Sequence, residues 1–165
     1  MRPMSTRHLL LAGAVLAALT GCQTTPKSGQ GLVPSRDARA AIEAAHARLV
    51  KAYNACDADA FVGVYAGAFS FVTSSTRSAI TSPTGLRGWL APGCAAAPYP
   101  VLELRGQSLT VDDDVAVLSG QYLFRIPSGA SRIDVPQHFT MALRRVDNDW
   151  RVFAHHLSIV PPAAR

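Results

Sequence analysis

The chain has 165 residues, 48% of them hydrophobic, and a formal charge of +5 from 16 Lys and Arg against 11 Asp and Glu. The length suits one domain with a sizeable core and not two. The charges are scattered, and Arg144-Arg145 is the only adjacent basic pair. That excludes the basic stripe of a nucleic-acid-binding protein, so no nucleic-acid partner is expected.

The N-terminus carries Arg2 and Arg7 and no acid before an apolar run of eleven residues, 9–19. A charged start followed by a short apolar segment is a secretory signal, and the run is too short to span a bilayer as a stable helix. It ends in Leu19-Thr20-Gly21-Cys22 rather than in a small-x-small site. This ending resembles the lipobox of bacterial lipoproteins. The resemblance implies a diacylglyceryl group on the Cys22 thiol, cleavage between Gly21 and Cys22, and acylation of the new amine. Residues 1–21 are then a signal peptide, and removing Arg2 and Arg7 takes the charge from +5 to +3. Several acyl chains, at about 0.8 kcal/mol per buried methylene, make the bilayer a stable partner. The expected location is the periplasmic face of the cell envelope. In resembling Gram-negative proteins an Asp after the Cys favours the inner membrane; Gln23 here points to the outer membrane.

Residues 22–34 are polar, with Gly and Pro and no periodicity, and read as a flexible tether. The domain is expected over 35–161, with 162–165 as a tail. Ser35 or Asp37 can cap a first helix, in which Ala41, Ile42, Ala45, Leu49 and Ala52-Tyr53 recur at steps of three and four. Asp57 can cap a second helix over 58–65, leaving Tyr53 and Tyr65 at the two helix ends. A strand at 69–73 with a partner at 77–81 is expected next. Ser82-Pro83 opens a short third helix over 84–90, stopped by Pro92-Gly93. Four strands follow, at 101–111, 115–126, 135–146 and 150–159, separated by Asp-rich, Gly and Asn turns. This order predicts an α+β domain: a long N-terminal helix and two short ones packed on a mainly antiparallel sheet. With Cys22 committed to lipid, Cys56 and Cys94 are left for a disulfide in an oxidising compartment, the alternative being two buried free thiols. No Cys/His cluster has zinc spacing and no Gly-rich phosphate loop is present, so neither metal nor cofactor is expected.

Three segments carry a family resemblance. Ala52-Tyr53-Asn54-Ala55-Cys56-Asp57-Ala58-Asp59-Ala60-Phe61 resembles the helix-ending turn of nuclear-transport-factor-2-like domains, including SnoaL-like and ketosteroid-isomerase-like proteins. Asp113-Asp114-Val115-Ala116-Val117-Leu118-Ser119-Gly120 resembles one of their strand starts. The run from Phe139 through Trp150-Arg151-Val152-Phe153-Ala154-His155-His156-Leu157-Ser158 to Pro161 is similar to the ending of the subgroup near the association domain of calcium/calmodulin-dependent kinase II. The resemblance implies a curved sheet wrapping the long helix into a cone with a pocket, and a homodimer. Two positions depart from it: Cys56 stands where Gly is usual, and Leu157 where Ser is frequent.

Neighbouring residues on a strand face opposite ways. Even spacing from Trp150 and Val152 turns His156 inward and gives His155, with Phe153 and Leu157, to an outer surface that a dimer could use. His156 is the expected pocket acid/base or ligand donor, or else a hydrogen-bonded structural residue. His138 shares a strand face with Thr140 and Ala142, and can form a polar pair with His156 if both line one cavity. Tyr122, Trp150 and Tyr65 are further expected pocket residues. Tyr53 is placed as ketosteroid isomerases place an oxyanion donor. The early strand and the interiors of 115–126 and 150–159 hold no carboxylate, so that catalytic set is incomplete. The favoured function is a non-catalytic domain that binds a small apolar ligand or a protein partner. The alternative is an isomerase, dehydratase or cyclase using His156 with His138 or Tyr53.

Overall fold

The computed structural model describes residues 35–96 and 98–161. Cys22, the expected lipidation site, and the expected tether and tail lie outside the described residues. Helix α1 (Arg36–Asn54) starts on Ser35, whose Oγ accepts from the Ala38 N–H at 3.1 Å and satisfies one of the free donors of a helix start. Its buried residues are Ile42, Ala45, His46, Leu49, Ala52 and Tyr53, one stripe at helical spacing.

The end of α1 explains the departure at Cys56. The Cys56 N–H donates to the Tyr53 carbonyl and the Asp57 N–H to the Ala52 carbonyl, both at 3.0 Å. These two bonds make a Schellman cap, whose first residue past the cap is left-handed and usually Gly. Here Cys56 takes that conformation, with φ of 52°. Asp57 next caps α2 (Ala58–Gly63), accepting from the Ala60 N–H at 2.9 Å. The expectation that Tyr65 closes this helix is corrected: it is the first residue of β1 (Tyr65–Val72).

The expected strand at 77–81 contracts to one bridge, in which Phe71 and Ile80 exchange backbone bonds of 2.9 and 2.8 Å. Helix α3 (Pro83–Ala95) is capped by Ser82, which accepts from the Gly85 N–H at 3.1 Å. Pro92 does not stop it. Proline there lacks one N–H near the helix end, where the loss of a single bond is tolerated. The extra turn carries Cys94 to Cys56, and the two form a disulfide with Cα atoms 5.6 Å apart. Asn54 fixes the same corner from the other side: its amide donates to the Leu102 carbonyl and accepts from the Leu102 N–H, each at 2.8 Å.

Strands β2 (Val101–Asp112), β3 (Val115–Ser128), β4 (Ser131–Val146) and β5 (Asp149–Ile159) form an antiparallel meander. The β3–β4 hairpin is longer than the sequence suggests, since Ser128 still faces Ser131. Asp147 and Asn148, both at positive φ, turn β4 into β5, as a two-residue hairpin loop requires. β1 adds to β5 in parallel, and the sheet order is β1-β5-β4-β3-β2.

Two irregularities bend this sheet around α1. In β2 the register jumps from Leu104↔Tyr122 to Gln107↔Gly120, leaving Arg105 and Gly106 opposite Gln121 alone. Gly106 has φ of 82°. Gly120 has no room for a side chain: a Cβ would collide with the Gly106 carbonyl oxygen and lie 2.8 Å from Phe139 Cε1. In β5 the register jumps from Leu143↔Val152 to Ala142↔Ala154, so Phe153 is an extra residue. Such bulges increase local bend and twist. The core inside the curve is aromatic, with Trp150, Tyr122, Phe61, Phe71 and Phe139 its largest fully buried side chains.

The disulfide closes a loop of 38 residues, for which chain entropy gives about 4 kcal/mol. Replacing both Cys56 and Cys94 by Ser is expected to lower unfolding free energy by about 2–4 kcal/mol in urea titration. The pair Cys56→Gly, Cys94→Ser is expected to recover about 1 kcal/mol of that loss, because Gly adopts the left-handed cap without strain. Equal stability of the two double variants would contradict the cap assignment.

Candidate functional site

The Phe153 bulge decides which histidine enters the domain. Trp150 and Val152 are buried; one residue is then added, and burial passes to His155 and Leu157. A one-residue slip exchanges the two faces of a strand. His155 is 3% exposed, whereas His156 is exposed on the outer face. The expected assignment is therefore reversed, and His155 and Leu157 are core rather than an outer surface. His138 is exposed beside Thr140 on that same outer face, so the expected His138–His156 pair does not line the interior. Tyr65, Tyr122 and Trp150, the further expected pocket residues, are buried in the core. Tyr53 is buried against Phe61, Trp89 and Phe124, with its ring 5.7 to 6.4 Å from theirs.

Two hydrogen-bonded His–Tyr pairs occupy the interior. His46, from the middle of α1, is 1% exposed. Its Nδ1 lies 3.0 Å from Gln107 Oε1 and its Nε2 lies 2.6 Å from the Tyr122 hydroxyl. With Gln107 Oε1 assigned as the acceptor, Nδ1 carries the proton and Nε2 accepts from Tyr122. His46 also sits 5.1 Å from the Phe139 ring, and Phe139 stacks on Tyr122 at 4.2 Å. The second pair joins the Tyr65 hydroxyl to His155 Nδ1 at 2.8 Å. Among the described residues the Tyr65 hydroxyl has no other side-chain acceptor, so its O–H donates and the proton of the imidazole is assigned to Nε2. That Nε2 is buried and has no hydrogen-bond partner among the described residues. An unmatched buried donor is uncommon, since leaving one unpaired costs on the order of 1–3 kcal/mol.

Burial controls the ionisation of all four groups. It lowers His155 to about 3, helped by the charges that His46 and His156 would carry. It lowers His46 too, against the opposing hydrogen bond to Gln107. It raises Tyr65, which the Tyr122 phenol raises further, and it raises Tyr122. Desolvation disfavours each charged form, so the site is a set of neutral donors and acceptors. Among the described residues the buried polar side chains are His46, Thr73 and His155, with no carboxylate.

Sequence reasoning passed over His46 and Gln107, and it placed His155 on the outer surface. His46 had a usable signal, because it stands four residues after Ile42 and three before Leu49 on the core stripe. For His155 the signal was a change of phase: Trp150 and Val152 are even-numbered, Leu157 is odd, and all three are core only if one residue is inserted between them. Gln107 faces inward only because of the β2 bulge.

Comparison with known proteins fits this architecture. The profile of the SnoaL-like domain matches residues 42–162. The chain belongs to the SnoaL-like domain family. Solved structures share the fold at low identity. One is a Mycobacterium tuberculosis protein of unknown function: 18% identity, TM-score 0.68, covering 75% of this chain and 72% of that one. Another, from Xanthomonas campestris, is assigned as a calcium/calmodulin-dependent protein kinase II association domain: 20% identity, TM-score 0.62, coverage 79% and 90%. A third, from Streptomyces avermitilis, is assigned as a dehydratase of the NTF2-like family: 16% identity, TM-score 0.66, coverage 75% and 97%. No curated protein sequence matches the chain. The SnoaL-like fold is a ligand-binding fold, and some of its members are enzymes.

The buried imidazoles link stability of this SnoaL-like domain to pH. Their folded pKa values lie below the unfolded value of about 6.5, so the unfolded chain binds more protons between the two. The stabilisation is complete above about pH 6.5 and is lost as pH falls toward 3. Urea unfolding is expected to show stability dropping by a few kcal/mol from pH 7 to 4.5, at roughly 1.4 kcal/mol per unit. His155→Gln should flatten that slope; an unchanged slope would contradict the burial of a neutral His155.

Proposed function

We propose that the protein is a lipid-anchored envelope lipoprotein whose SnoaL-like domain binds a small, neutral, largely apolar molecule without transforming it. The observation that carries this reading is the unmatched Nε2–H of His155, set among aromatic rings with no buried carboxylate nearby. A ligand oxygen accepting that hydrogen bond would satisfy the donor, while the rings of Phe71, at 5.3 Å from His155, and Tyr122, at 6.4 Å, supply apolar contact. Trp89 packs on Phe71 at 4.7 Å and is half-buried, whereas Phe71 is fully buried.

Binding is favoured over catalysis because proton abstraction needs a base whose pKa lies near the working pH. Neither His155, at about 3, nor the paired His46 meets that need. The enzyme reading keeps one supporting observation: two neutral His–Tyr pairs are suited to polarising a carbonyl. Anchoring rests on Leu19-Thr20-Gly21-Cys22 and on the polar stretch before Ser35. No helix among the described residues is long and apolar enough to cross a membrane.

Two measurements test the proposal. Intact mass of the membrane-extracted protein should correspond to a chain starting at Cys22 with added acyl groups, and Cys22→Ala should leave the leader uncleaved at this site. Cleavage elsewhere, or an unmodified Cys22, would refute anchoring. Native mass spectrometry after incubation with a total lipid extract of the host membrane should reveal a retained neutral adduct. His155→Phe should weaken its retention about 3- to 10-fold. Absence of any adduct, or one indifferent to His155→Phe, would refute the interior site.

A further inference from the structure

The disulfide holds down a helix that is poorly built to hold itself. Helix α3 contains Gly85, Gly88, Gly93 and an internal Pro92 within its 13 residues, and glycine and proline are the two weakest helix formers. A helix of that length is marginal in isolation even with good formers. Its first half is well fixed. Leu86 and Leu90 are buried, Ser82 caps the start, and the backbone bonds between Phe71 and Ile80 hold the chain just before it. The exposed ion pair of Arg87 with Asp59, at 2.8 Å, adds little.

The second half lacks such supports. Ala91, Pro92 and Ala95 are exposed, and the helix ends on an extended Ala96. The chain is held again at Tyr99, whose hydroxyl donates to the Asn54 carbonyl. Between Leu90 and Tyr99, the last turn is tied down by Cys94 to Cys56. That bond stands near the surface: both cysteines are half-buried, and Ala55, Asp57 and Ala95 beside them are exposed. Cys56 has φ of 52°, a conformation disfavoured for any residue with a Cβ. Accessible disulfides on strained backbone are the ones that exchange readily with thiols. The surface under α3 is aromatic. Trp89, one turn before Gly93, lies 4.7 Å from Phe71, 6.2 Å from Phe61 and 6.4 Å from Tyr53, ring centre to ring centre.

We infer that Cys56–Cys94 is a redox latch on the second half of α3, opened by a dithiol reductant. One thiolate of the reductant attacks one sulfur, forms a mixed disulfide and displaces the other cysteine as its thiolate. The second thiolate of the reductant then displaces the first cysteine. The reductant leaves as its own disulfide, and Cys56 and Cys94 keep two electrons and take up two protons. With the latch open, the turn from Ala91 to Ala95 unwinds and Trp89 loosens from Tyr53, Phe61 and Phe71. The opening stays local, because the Schellman bonds and the two Asn54–Leu102 bonds hold the end of α1 without the disulfide. The latch depends neither on the lipid anchor nor on ligand binding in the interior.

Hydrogen–deuterium exchange of the full chain, before and after dithiothreitol in the absence of denaturant, tests this. Alkylation should mark Cys56 and Cys94 only after treatment. Amides between Trp89 and Ala95 should then exchange about 10-fold faster or more, while those of α1 and β4 keep their rates within about 2-fold. The pair Cys56→Gly, Cys94→Ser, which preserves the left-handed cap, should show the open pattern without reductant and should not respond to it. A disulfide that dithiothreitol reaches only in denaturant would overturn the proposal. So would reduction that leaves Trp89 to Ala95 as protected as before, or reduction that deprotects α1 and β4 to the same degree.

Discussion

Everything distinctive about the interior depends on one extra residue in the last strand. The Phe153 bulge lets Trp150 and Val152 fill the core near the β4–β5 turn, and then exchanges the two faces so that His155 and Leu157 fill it further on. Without the insertion, the exposed His156 would face Tyr65 and Phe71, and His155 would be in solvent. β1 records the same event from the other side: four residues, 66–69, separate the pairings Tyr65↔Val152 and Ser70↔Ala154, where β5 has only Phe153. The strand that supplies Tyr65 is therefore bent at the place where its partner His155 turns inward, and the hydrogen bond between them spans that bend.

The broad fold was legible because its periodicities are local. The stripe on α1, the Ser35, Asp57 and Ser82 caps and the turn at Asp147-Asn148 each express a backbone requirement within a few residues. What failed to show were features in which a distant contact overrides a local rule. Pro92 reads as a stop, yet the helix continues for three residues to Ala95 and brings Cys94 to Cys56. Cys56 departs from the usual Gly, and the Schellman bonds and the expected disulfide hold it in the left-handed conformation. Strict alternation reads His156 as inward, yet the sheet must curve around α1, and it curves by inserting residues. The site was misread at His155 for the same reason that the fold can enclose a helix at all.

The chemistry follows from depth. Four polar groups on α1, β1, β3 and β5 meet among aromatic rings, with no acid to stabilise a positive charge on either imidazole. Neutrality is thus imposed by burial, and the hydrogen bonds then settle the tautomers: His46 is tied at both nitrogens, while His155 is tied at one. A pair tied at both ends is structural. A pair with one end untied is the one on which the proposed binding of a neutral ligand rests. This separates the two histidines by role more firmly than their similar burial does.

The most direct test is the state of His155 itself, read from long-range proton–nitrogen correlation spectra of the imidazole between pH 7.5 and 4.5. The account predicts a neutral ring with the proton on Nε2 throughout that range, and a shift of that nitrogen alone when the interior is loaded. A His155 that titrates near 6.5, as a solvated imidazole does, would place it outside the domain and contradict both the bulge and the site built on it.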